Sequence, residues 1–182
     1  MSAAGGGHLA VLQWARLHDC PWDFATSSAA AMGGHLEGCM WAHEHGCAMG
    51  QDTCTNAAAG GHLEVLKWAR KDDEPDSPDC HWSCYVLSAA AEGGHLEVLK
   101  RAHANGCEWD EYENEEDDCC LQAARGGHLE VLQWLRDEHD YPWGETTSAA
   151  AAEGGHLEVI KWLREHGCPW QGGASCQYQN PS

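Results

Sequence analysis

The chain has 182 residues, with 29 Asp and Glu against 10 Lys and Arg, giving a formal charge of −19 at neutral pH. That balance repels phosphate backbones and argues against nucleic-acid binding, and no apolar run approaches the roughly 20 residues of a spanning helix, so no membrane insertion is expected. The opening residues Met1 to Gly5 contain no basic region followed by an apolar stretch; no secretory signal is visible, and the expected setting is cytoplasmic or nuclear.

The dominant pattern is a repeat. Gly60-Gly61-His62-Leu63-Glu64-Val65-Leu66-Lys67-Trp68 has relatives starting at Gly6, Gly33, Gly93, Gly126 and Gly154, at spacings of 27, 27, 33, 33 and 28 residues. Self-similarity at such a period marks a solenoid, in which each unit hides its apolar face against its neighbours. The whole of residues 1–182 therefore reads as one array.

In chain order, only the tail of an Ala-rich segment precedes the first Gly-Gly, so the array starts in mid-repeat, without a polar capping helix. Each later unit predicts a short Ala-rich first helix: Thr26 to Met32, Thr53 to Ala59, Val86 to Glu92, Cys119 to Arg125, and Thr147 to Glu153. A Thr or Ser at its front can serve as the N-cap, and the glycines that follow end it. Second helices are predicted to start near His8, His35, His62, His95, His128 and His156. In the third copy Leu63, Val65, Leu66, Trp68 and Ala69 span more than one stripe, as expected of a helix covered on two sides. A turn follows each second helix, with Cys-Pro-Trp-like triplets at Cys20, Cys47, Cys80, Cys107, Tyr141 and Cys168. Acidic insertions at 71–79 and 110–118 read as surface loops, and 171–182 as a C-terminal tail.

The six Gly-Gly-His histidines occur once per repeat, which predicts a ring that packs and hydrogen-bonds across the interhelical turn rather than an active site. Eleven cysteines in a long chain with no visible export signal are expected to be reduced. Cys54 and Cys120 share a slot with Ser27, Leu87 and Ser148, which must be small and mostly buried. A zinc site built from Cys80, His81 and Cys84, with Cys107, Cys119 or Cys120 nearby, is the sharper alternative; Cys80 and Cys84 have the spacing of a ligand pair, but no second such pair is present. Trp22, Trp82, Trp109, Trp143 and Trp170 share a position with Met49, as an apolar plug between repeats would. The carboxylate-rich stretch Asp110 to Asp118 lacks the ligand order of an EF-hand and suits a solvated loop or a basic partner. No phosphate-binding loop, nucleophile elbow or His-Glu-x-x-His motif occurs, so no enzyme activity and no cofactor are expected.

The paired alanines (Ala30-Ala31, Ala58-Ala59, Ala90-Ala91, Ala123-Ala124), the Gly-His openings (Gly34-His35, Gly61-His62, Gly94-His95), Val65-Leu66 and Gly46-Cys47 resemble ankyrin repeats, especially the short-loop, Trp- and Cys-rich arrays of algae, oomycetes and giant viruses. The Thr-Pro-Leu-His signature is absent, and most copies are short by up to six residues in the hairpin turn. The resemblance implies an all-α solenoid with shortened hairpin loops that presents a rigid surface to another protein. The residues that vary on this fixed frame are the candidate contacts: Asp23, Phe24, Gln51, Asp52, Asn56, Ser83, Tyr85, Gln122, Glu145 and Thr146. A subunit of a larger assembly, held through uncapped ends, is the alternative of a different class.

Overall fold

The computed structural model describes residues 4–70, 83–107, 109 and 118–170. The insertion at 71–79, residues 110–117 of the second insertion, and the 171–182 tail lie outside them. The described residues form eleven helices and no strand. They are α1 (Leu9–Leu17), α2 (Phe24–Met32), α3 (Leu36–Glu44), α4 (Gln51–Ala59), α5 (Leu63–Ala69), α6 (Cys84–Glu92), α7 (Leu96–Ala104), α8 (Cys119–Gly126), α9 (Leu129–His139), α10 (Glu145–Glu153) and α11 (Leu157–Glu165). Five helix pairs follow the lone second helix α1. Every substantial helix contact joins the two members of a pair or neighbouring pairs: α2, α4, α6, α8 and α10 stack in sequence, each packed on its own second helix. The molecule is an α-solenoid.

Alanine makes the close stacking of first helices feasible, since its side chain adds little between two backbones. Ala31, Ala58, Ala91, Ala124 and Ala151 are all fully buried. The second helices contribute the larger apolar groups: Leu66, Leu99, Leu132, Leu135 and Leu163 are likewise sealed from solvent.

The first helices begin two residues earlier than the alanine pattern suggests in four of five units. The threonines are therefore not N-caps. Thr53 and Thr147 sit in the first turn, and their hydroxyls accept backbone N–H bonds from the true caps, Gly50 (3.4 Å) and Gly144 (3.2 Å). In two other units an aspartate caps instead: Asp23 accepts from the N–H of Ala25, and Asp118 from those of Cys120 and Leu121. The cap residue differs between repeats, so periodicity alone points to the wrong position. Each second helix starts one residue after its histidine, which is the N-cap.

The Gly-Gly pair is required by what lies beside it. At Gly60 an added Cβ would stand 2.6 Å from the Met32 carbonyl of the preceding repeat. Gly61 has φ +74°, and a Cβ there would meet Nδ1 of His95 of the next repeat at 2.5 Å. The left-handed backbone and the steric contact both select glycine.

Candidate protein-interaction surface

The histidine that opens each second helix after α1 ties its repeat to what precedes it. Nε2 of His62 donates to the Met32 carbonyl (2.9 Å), His95 to Ala59 (2.9 Å), His128 to Glu92 (2.8 Å) and His156 to Arg125 (2.8 Å). Each acceptor lies at the end of the first helix of the preceding repeat, as its last residue or, for Arg125, its last but one, where backbone carbonyls lack helical partners. The ring therefore has a structural role, but its bond crosses to the preceding repeat instead of spanning its own interhelical turn as expected.

A second histidine device was missed in the sequence. His18, His45 and His166 cap the ends of α1, α3 and α11 by donating Nδ1–H to the carbonyls of Trp14, Trp41 and Trp162, each at 2.8 Å. Each ring also stacks on that same indole, with centroids 4.1, 4.2 and 4.4 Å apart. The i, i+4 spacing of Trp and His was the available signal. In α7, where Arg101 replaces the tryptophan, Asn105 makes the equivalent bond at 2.7 Å.

The turn tryptophans Trp22 and Trp143 plug seams between repeats, and Trp82 lies outside the described residues. Trp22 packs edge-on against Trp41 of the next repeat, and Trp143 against Trp162, both at 5.5 Å. Arg16 lies over Trp22 (4.7 Å) and Arg136 over Trp143 (4.4 Å), so the outward side of each indole is covered by a cation.

The cysteines are mainly structural. Cys107 donates to the Ser83 carbonyl at 3.2 Å, Cys168 to Gly144 at 3.4 Å and Cys47 to Asp23 at 3.5 Å, each closing the helix pair of its own repeat. Burial pushes the thiols of Cys39 and Cys107 up to about 12 and that of Cys168 to about 11. The small slot is sealed in every copy: Ser27, Cys54, Leu87, Cys120 and Ser148 are all 0 % exposed. In two copies the hydroxyl uses it to reach the following turn, Ser27 to the Ala48 carbonyl (2.9 Å) and Ser148 to that of Pro169 (2.7 Å). The expectation of a wholly reduced set needs one correction. Cys54 is disulfide-bonded, its partner lying outside the described residues; folding brings together two thiols whose proximity sequence spacing does not reveal. Cys80 and His81 also lie outside them, and among the described residues no group of three or more His, Cys, Asp or Glu side chains is placed to hold a metal ion.

The first helices carry the varied surface. A pocket of about 460 Å³ is lined by Thr55, Tyr85, Ser88, Ala89, Glu92, Gln122 and Arg125, from α4, α6 and α8. A smaller one of about 240 Å³ is lined by Phe24, Ser28, Gly50, Asp52 and Thr53, from α2 and α4 with the α4 cap. The structure thus brings Tyr85 together with Gln122, and Phe24 with Asp52. Phe24 is 59 % and Tyr85 45 % exposed. Gln122 is largely buried, its Oε1 accepting from Arg125 at 3.1 Å. Glu145 is exposed and Thr146 half-buried in the first turn of α10, outside both pockets, and Gln51 opens α4. Asp23 and Ser83 stand at N-cap positions, the Asp23 carboxylate accepting from the Ala25 N–H, and Asn56 donates to the Asp52 carbonyl at 2.8 Å, so Asp23 and Asn56 serve the backbone. Thr55, Ser88, Glu92 and Arg125 join the surface without having been singled out in the sequence. Glu92 and Arg125 occupy the same repeat position just before Gly-Gly, where Met32, Ala59 and Glu153 stand in other copies; that variation was a usable signal.

None of the described helices is long and apolar enough to cross a membrane. A family model of ankyrin repeats, in three copies, matches residues 86–174. Among solved structures the chain is similar to the human ASB11 ankyrin repeat domain, with a TM-score of 0.63 and 19 % identity, covering 91 % of this chain and 82 % of that one. No match was found among curated proteins. With the same helix pair stacked from α2 to α11, the chain has the fold of an ankyrin-repeat array, and its residues 86–174 are ankyrin repeats.

Proposed function

We propose that the chain is a non-catalytic binding module that presents the stacked first helices to a partner protein with a basic surface. One observation carries this reading. On a frame whose buried alanines hardly change, the outward first-helix positions differ from repeat to repeat and line two pockets. The exposed charges there are Asp52, Glu92, Glu145 and Glu153 against the single cation Arg125, so the face favours positive groups. A rigid stack presents these side chains already ordered, which limits the entropy lost on binding. The reading places the module in the cytoplasm or nucleus.

The test is affinity capture with the wild-type chain beside Tyr85→Ala and Glu92→Lys variants, followed by titration of the captured partner at two salt concentrations. Tyr85→Ala should weaken binding by about tenfold or more, as truncation of an aromatic anchor does, and added salt should weaken the wild type. A partner whose affinity ignores both substitutions and salt would rule out this face.

A second reading, assembly through an end of the stack, is favoured by the apolar side of α1, where Val11 is 47 %, Trp14 58 % and Leu17 82 % exposed. Sedimentation separates the two readings: self-association abolished by Leu17→Glu supports assembly, and a monomer at all concentrations removes self-assembly.

A further inference from the structure

One seam differs from the others. Relative to α11, α9 carries one extra residue before its turn, so the histidine falls five residues after the indole (Trp134, His139) where α11 has four (Trp162, His166). His139 therefore cannot make the stacked C-cap. Its ring sits edge-on to Trp134 at 4.4 Å and reaches across the seam to His103 of α7, at 4.5 Å and 74°. His103 stands in the repeat position of Arg16 and Arg136, and like them it covers its own turn indole, stacking on Trp109 at 4.8 Å. Trp109 also contacts Trp134, His139 and Tyr141, closing the cluster.

We propose that the α7–α9 seam is a pH-sensitive junction, closed while His139 is neutral and loosened when it takes up a proton. The geometry gives the reason. Nε2 of His139 and Nδ1 of His103 are buried and have no hydrogen-bond partner among the described residues. An imidazolium carries two N–H donors, so a proton on His139 would add a buried charge and leave a donor without an acceptor. The groups facing it are His103 from α7, Glu138 of its own helix, and the rings of Trp109 and Trp134. A charge on His103 has the Trp109 face beneath it, as Arg16 has Trp22, whereas a charge on His139 faces His103.

Burial and then His103 lower the pKa of His139, with Glu138 opposing. The closed seam therefore binds this proton less well than the open one. Its stability is present above the ordinary histidine range and is lost as the pH falls through that range. For each proton taken up on opening, the open population rises about tenfold per pH unit in that window.

The same two repeats form the pocket containing Tyr85, Glu92, Gln122 and Arg125. Acidification would thus reach the partner-binding face, a consequence that rests on the proposed function; the switch itself does not.

The test needs no partner. Hydrogen exchange of α7 and α9, corrected for intrinsic rates, is compared at pH 7.5 and 5.5 in the wild type, His139→Gln and His103→Gln. An imidazole NMR titration of the wild type accompanies it. The expected result is a loss of protection on acidification, several-fold or more and centred on these helices, absent in His139→Gln and reduced in His103→Gln. His139 should titrate below the ordinary histidine value. An equal acid response in His139→Gln, or a His139 titrating at or above the ordinary value, overturns the proposal. If His139→Gln does not fold, His103→Gln and the wild-type titration decide alone.

Discussion

Substitution of His95 by alanine tests the bond that links repeats. The ring donates at 2.9 Å to the Ala59 carbonyl, and its atoms lie against the backbone of Gly93 and Gly61. Removing it leaves a carbonyl without its donor, which costs about 1–3 kcal/mol. Equilibrium urea unfolding is the assay, with His8→Ala as the control, because His8 is exposed and makes no such ring bond among the described residues. The control should change stability by less than about 0.5 kcal/mol. Gly61→Ala adds a second arm. It forces a Cβ onto a backbone with φ +74° and to within 2.5 Å of His95 Nδ1, so it should cost about 1–3 kcal/mol. Part of that cost is the contact with the ring, so the double variant should lose less than the two single losses combined, by about 0.5 kcal/mol or more. If His95→Ala matches the His8 control, or the two substitutions are strictly additive, the histidine does not join repeats as described.

Three further predictions concern other parts of the frame. Ser148→Ala removes the 2.7 Å bond to the Pro169 carbonyl and should cost about 1–2 kcal/mol in urea unfolding, whereas Ser148→Cys should cost less, since Cys120 fills the same sealed slot in a neighbouring repeat. In native protein at pH 8, iodoacetamide should label the exposed Cys20 first; Cys39 and Cys107, held near 12 by burial, have about one thiol in ten thousand ionised and should label only on unfolding, as read by peptide mass spectrometry. His45→Ala should cost about 1 kcal/mol by removing the C-cap bond to Trp41 and the stacked ring, and Asn at that position should recover much of it, as Asn105 shows in α7.

The repeat pattern was enough to place all the helix pairs, because Gly-Gly-His marks the same physical event each time: one helix ends, the chain turns left-handed, and the next begins. The first-helix starts were less legible, since their cap positions hold Asp23, Gly50, Ser83, Asp118 and Gly144, with no one residue type common to the five. The direction of the histidine bond could not be read either. Its acceptor lies 30 to 36 residues upstream in the bonds of His62, His95, His128 and His156, and only the stacking distance selects that carbonyl. The candidate surface divided for a related reason. Variation between repeats marks exposed side chains such as Tyr85 and Asp52, but it equally marks Asp23, whose carboxylate caps α2, Ser83, which stands at the N-cap position of α6, and Asn56, whose amide bonds back to the Asp52 carbonyl within α4. His139 was legible only as a one-residue slip, whose meaning depends on what stands opposite in the neighbouring helix.

The dependence of each repeat on its neighbours is tested most directly by native-state hydrogen exchange in a Leu163→Ala variant. Leu163 is fully buried in α11, and its truncation should cost about 2–5 kcal/mol. In a stack of nearest neighbours, protection should fall most in α10 and α11, less in α8 and α9, and least in α2 and α3. An equal fall in every helix, as in a single shared core, or a loss confined to α11 with no effect on α8 and α9, would contradict it.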